Sequence, residues 1–181
     1  MKNIVVLSGS VREGRKSHFV ARLLFKKFGE NENVNTALLD LKEYQFPIMT
    51  ESHADKWPEG MKAFSEQLAK SDGIVIISPE YKNGIPGALK NVLDYLNPQI
   101  FRHIPMGLVT VSSGTTGGIN CLSQLRLVCL AMGGIVIPEK LCISKVHEAF
   151  DESGNLTDGL LDVESVRFTE SFLWYVNRFS S

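Results

Sequence analysis

The residues best suited to chemistry in this chain lie in three short, glycine-bearing stretches. The first, LSGSVREGRKS, sets Ser8, Ser10, Arg12 and Ser17 around Gly9 and Gly14. Hydroxyls and free backbone N–H groups ahead of a helix make an anion site, and an arginine adds charge-assisted bonds. The lysine is one place out of register for a nucleotide-triphosphate loop, because Arg15 intrudes before Lys16 and Ser17. Two later apolar runs end in Ser-Pro-Glu and Ser-Ser-Gly, neither of which offers an acid suited to Mg²⁺. The loop therefore suits a phosphate monoester held without metal, and no GxGxxG dinucleotide fingerprint is present. The plainer reading is an ordinary turn in which Ser17 caps a helix.

The second stretch, SPEYKNGIPGALKNVLDYL, begins at Ser78. Its proline and glycine punctuation predicts a rigid turn with accessible amides. There Tyr81 could cover a planar ligand, and the amides around Lys82 and Asn83 could meet a polar ring edge. The third, SSGTTGG from Ser112 to Gly118, has three glycines that let backbone approach a ligand closely. Other reactive side chains are scattered. Cys121, Cys129 and Cys142 form no CxxC and no metal pattern, and read as buried reduced thiols that point to the cytoplasm. Cys121 and Cys129 read as helix packing. His18, His53, His103 and His147 read as surface or loop residues, with His18 the least secure because it follows the phosphate-loop serine. Glu80 has no evident partner for acid catalysis.

These stretches need elements to hold them. Apolar, β-branched runs at Ile4–Leu7, Val34–Leu41, Gly73–Ser78, Met106–Ser112 and Ile135–Ile143 read as strands, the last broken at Pro138. GIVIIS lacks polar alternation, which suits a strand covered on both faces. Helical faces appear at Val20/Leu23/Leu24/Phe28, Met61/Phe64/Leu68 and Leu89/Val92/Leu93/Leu96, with a fourth helix after Gly118 and a last one carrying Val163, Val166, Leu173 and Val176. Five strands alternating with five helices imply an open parallel sheet with helices on both faces. Ligands bind beyond the carboxyl ends of such strands, where all three unusual loops fall. With 181 residues and no composition break, repeat or low-complexity tract, the chain reads as one domain, 1–181. A net charge of −1 gives no reason to expect nucleic acid or an anionic membrane, and there is no apolar leader or membrane-length run.

GSVREGRKS, PEYKNGIPGALKNVLDY and SSGTTGGINCLSQLRLVCLAMGG together resemble the NADPH-dependent FMN reductases, which include quinone, azo-dye and chromate reductases. Even FDESGNLTD, from Phe150, is similar to that family's late loop. The resemblance implies a flavodoxin-like α/β sheet in the order 2-1-3-4-5, with FMN as cofactor and NADPH (or NADH) as co-substrate. It implies that Ser10, Arg12 and Ser17 hold the FMN phosphate. Pro79, Glu80 and Tyr81, with Lys82 and Asn83, would line the isoalloxazine, and Ser113, Gly114 and Gly118 would meet its other edge. Lys82-Asn83-Gly84 departs from the family's usual Asn or His followed by Gly-Ser, and a cation there could alter flavin potential or nicotinamide preference. The implied reaction is ping-pong transfer of hydride from NADPH to FMN and then to a flavin, quinone or similar small-molecule acceptor, with no catalytic side chain required. The alternative is a flavodoxin-type electron carrier, against which Arg12 and the near-neutral charge count. A homodimer or homotetramer is also implied, with Leu96, Phe101 and Leu122 as candidate contacts.

Overall fold

Residues 1–50 and 53–179 are described by a computed structural model. Five strands, β1 Lys2–Ser8, β2 Val34–Asp40, β3 Gly73–Pro79, β4 Pro105–Val111 and β5 Ile135–Ile143, pair in parallel in the order β2-β1-β3-β4-β5. The helices are α1 Ser17–Gly29, α2 Met61–Ala69, α3 Gly87–Tyr95, α4 Ile119–Ala131 and α5 Gly159–Phe179, joined in places by short 3₁₀ turns. The expected flavodoxin-like order is the observed one.

Strand alternation splits the core into two layers. Ile4, Val6, Val75 and Ile77 face α1 and α5, whereas Val5, Leu7, Ile74 and Ile76 face α2, α3 and α4. On the first face α5 lies close to the sheet because Gly73 and Gly107 present no side chain. A Cβ at Gly73 would sit 2.8 Å from the Phe172 ring, and one at Gly107 2.8 Å from Phe168. Burying an aromatic such as Phe172 completely contributes about 1.5–3 kcal/mol.

Three expectations need correction. Pro138 does not break β5; the strand runs through it, and pairing with β4 shifts register between Met106 and Leu108. The buried face of α5 is Leu161, Ser165, Phe168, Thr169, Phe172 and Val176, while Val163 is 48% exposed. Leu96, Phe101 and Leu122 are not surplus surface contacts, since each is at most 3% exposed within the α2–α4 layer.

Candidate functional site

The carboxyl ends of β1, β3, β4 and β5 surround a cleft of about 260 Å³. Its walls include Arg12, Arg15, Lys16 and Ser17 from the β1 loop, and Pro79, Glu80 and Tyr81 from the β3 loop. Ser112 and Ser113 follow β4, and Val146 and His147 follow β5. Of the expected site residues, Arg12, Ser17, Pro79, Glu80, Tyr81 and Ser113 are brought together; Ser10, Lys82, Asn83, Gly114 and Gly118 lie around them without lining the cleft.

The β1 loop is tied at both ends. Gly9 N–H donates to the Ile77 carbonyl at 2.8 Å, continuing the sheet into the loop. The buried Ser10 Oγ and the Tyr81 hydroxyl share a 2.7 Å hydrogen bond, and Arg12 N–H donates to Ser10 Oγ at 3.3 Å. On the other side Arg15 pairs with Asp40 and Lys42 pairs with Glu13, fastening the loop to the end of β2. Ser17 does not cap α1. Lys16 occupies the cap position, no side chain caps the helix, and the buried Ser17 Oγ has no hydrogen-bond partner. Arg15 Nε is likewise buried without a partner. A buried hydroxyl costs stability when unpaired, so these groups fit an anion that completes their bonding.

His18 is half-buried in α1, its Nδ1 3.3 Å from Asp40 and 3.4 Å from Ser8 Oγ. Burial lowers its pKa, with Arg15 and Arg22 adding to the effect and Asp40 and Glu43 opposing it. Burial thus favours the uncharged imidazole, while the neighbouring Asp40 carboxylate favours the charged one.

Beyond β3 the chain makes a two-residue hairpin. Tyr81 and Gly84 exchange N–H···O bonds of 2.9 and 3.0 Å, with Lys82 and Asn83 at φ 51° and 63°. Two left-handed central residues suit the right-handed twist of a tight hairpin, and asparagine tolerates them better than lysine. The Asn83 carbonyl accepts from Gln124 of α4 at 2.9 Å, pinning the tip to that helix. Glu80, expected to lack a partner, has one: its carboxylate accepts the Cys121 backbone N–H at 2.9 Å. It thereby caps α4, whose own cap position is Gly118 at φ 82°.

Neither Cys121 nor Cys129 is poised to react. Burial pushes Cys121 up to about 11, although Ser78 Oγ bonds it at 3.2 Å, and pushes Cys129 up to about 12. Cys142 is half-buried, and all three are free. Among the described residues no cluster of His, Cys, Asp and Glu could hold a metal. Sequence reasoning left Glu13, Gly14, Arg15, Lys16, Val146 and His147 out of the cleft. The β1-loop members stood inside the quoted stretch, but nothing local marks Val146 and His147. Bonds from Val146 N–H to the Ser112 carbonyl and from Lys145 N–H to the Gly114 carbonyl fold that loop against the segment after β4.

A larger groove of about 1050 Å³ runs between α1, β2 and residues 150–159. It flanks the sheet rather than crossing the strand ends, and its walls mix Arg22, Lys26 and Lys27 with Glu30, Glu43, Asp158 and Asp162. Lys27 already pairs with Asp162 at 2.8 Å. The smaller cleft, where the loops and unpaired donors meet, is the functional candidate.

Residues 2–148 match the NADPH-dependent FMN reductase family. The chain is 31% identical to an NADPH azoreductase of Bacillus sp. (strain OY1-2) over 83% of its length and 82% of that protein. It is 32% identical to the quinone reductase of Escherichia coli (strain K12), covering 88% and 87% respectively. Among solved structures, the flavoenzyme NAD(P)H:(acceptor) oxidoreductase of Paracoccus denitrificans superposes with a TM-score of 0.83 at 22% identity, over 99% of both chains.

Proposed function

The chain belongs to the NADPH-dependent FMN reductase family, and from that premise we propose that NADPH and a planar acceptor, a quinone or azo compound, use the cleft at the strand ends in turn. The protein is an oxidoreductase whose cofactors are FMN and NADPH. The observation that carries the reading is the uncapped start of α1 with the buried, unpartnered Ser17 Oγ. That is where a terminal phosphate finds donors already paid for by the fold.

In this reading Arg12, Ser17 and the first amides of α1 hold the FMN phosphate. Ser10 serves it indirectly, holding Tyr81 and the Arg12 backbone in place. Pro79, Tyr81 and the amides of Lys82 and Asn83 flank the ring on one side, and Ser113 and Gly114 on the other. Glu80 and Gly118 keep the β3 loop and α4 in register. When bound, FMN supplies the hydride chemistry between nicotinamide and acceptor. The chain's part is to orient, to donate hydrogen bonds and to withhold competing nucleophiles, which protonated Cys121 and Cys129 do. The free thiols suit the reducing cytoplasm. Exposed Leu127 and Leu130 on α4, at 70% and 56%, support a homodimer through that helix, or a dimer of dimers.

The test is an absorption spectrum of the purified protein, identification of the released flavin, and initial rates of NADPH oxidation at several quinone concentrations. FMN and parallel double-reciprocal lines are expected. Intersecting lines would mean that both substrates bind together, and an FMN-loaded protein that leaves NADPH unoxidised would be an electron carrier.

A further inference from the structure

Arg15 occupies an unusual position for a surface-loop arginine. Its side chain is only 7% exposed, it lines the cleft beside Arg12, Lys16 and Ser17, and its Nε has no hydrogen-bond partner. One end of the guanidinium is committed, since an Nη donates to Asp40. Asp40 is itself 10% exposed at its side chain and is held by the Lys42 N–H at 3.1 Å. A guanidinium has five N–H donors in a fixed plane. Fixing one edge on Asp40 therefore fixes where the remaining donors point. An arginine so clamped loses little side-chain freedom when it meets an anion.

We propose that Arg15 is a second phosphate-binding cation of this cleft, with the terminal phosphate of FMN as its ligand. Arg12 is exposed and stands over Tyr81, its guanidinium carbon 6.0 Å from the ring centroid. Arg15 approaches from the buried side of the same loop, where Ser17 Oγ is also unpaired. The two arginines divide the work: Arg12 meets the phosphate from solvent, and Arg15 supplies a charge that is already desolvated and oriented. The inference rests on the FMN reading above, and it deepens that reading by naming a residue which sets the preference for a phosphorylated flavin.

The experiment is fluorescence titration of flavin-free protein with FMN and with riboflavin, comparing wild type, Arg15→Gln and Asp40→Asn. The quantity read is the ratio of the two Kd values within each protein, which cancels a general loss of fold. Arg15→Gln is expected to lose at least tenfold of the preference for FMN. Asp40→Asn keeps the Arg15 charge, still offers a side-chain carbonyl to accept the Arg15 Nη–H that orients it, and removes a neighbouring negative charge, so its preference should stay within threefold of wild type or rise. If Arg15 served only as a tether to β2, both variants would lose the preference together, and the proposal would fall. A wild-type preference that Arg15→Gln retains would equally overturn it. Should Arg15→Gln not fold, Arg15→Lys keeps a cation for Asp40 but has no Nε–H, and a loss of threefold or more is expected; none would overturn the proposal. Wild type with no preference for FMN at all would instead refute the phosphate-loop reading on which the inference rests.

Discussion

Ser17 separates two readings of the first loop. As a helix cap its hydroxyl would accept an amide N–H, yet it is buried and unpaired while α1 starts uncapped. The same loop exposes Arg12, whose bond to a phosphate would contribute about 1.5–3 kcal/mol. Arg12→Ala is expected to weaken FMN binding roughly 10- to 150-fold while changing riboflavin binding little. Equal losses for both flavins would remove Arg12 from the phosphate. The buried thiols make a second prediction, because their pKa values are raised in the fold. Such groups favour folding fully below the unfolded thiol pKa near 9, and that advantage is lost as pH climbs toward the folded values of about 11 and 12. Urea midpoints should therefore fall more steeply above pH 9 in wild type than in Cys129→Ala. Identical slopes would show that this thiol ionises as freely in the fold as outside it.

At the scale of elements, local pattern met tertiary context in β5 and α5. Pro138 looks like a break, but β5 is the sheet's edge and carries a register shift there, the place where a strand tolerates a residue without N–H. On α5 the apolar Val163 turned outward, and the buried stripe took in Ser165 and Thr169. Both hydroxyls bond back to carbonyls three residues earlier, at 2.7 and 2.8 Å, which satisfies them in the core. The α4 start depends on a residue from another element, Glu80. Removing a cap costs about 0.5–2 kcal/mol, so Glu80→Ala should lower the thermal midpoint of the flavin-free protein by several degrees. Glu80→Gln, which still accepts from Cys121 N–H, should lose less. A Glu80→Ala protein that melts with wild type would mean that the 2.9 Å contact contributes nothing.

For the whole molecule, the α2–α4 layer absorbs Leu96, Phe101 and Leu122, leaving Leu127 and Leu130 as the most exposed large apolar residues of α4, with Ile119 at its start less so. A stable dimer needs about 800 Å² per partner, so these two leucines would form part of a larger surface. Replacing both with glutamate is expected to shift sedimentation from dimer to monomer at micromolar concentration. A wild type that sediments as a monomer would end the proposal; a dimer unmoved by the substitutions would place the contact elsewhere.

Much of this protein was legible before folding. Apolar runs and helical faces determined the parallel sheet, because a strand buried on both sides and a helix buried on one leave different periods in the chain. Glycine, serine and proline marked the β1, β3 and β4 loops, since backbone that must turn tightly or approach a ligand requires particular residues. What the tertiary structure alone decided were the partnerships between distant positions. Asp40 clamps Arg15 from 25 residues away, Glu80 caps a helix 41 residues on, and Val146 brings His147 to the cleft. None of these leaves a local trace. A charge or a cap is read from its neighbours in space, and only the packing of α1, α4 and the strand ends against one another determined which neighbours those are.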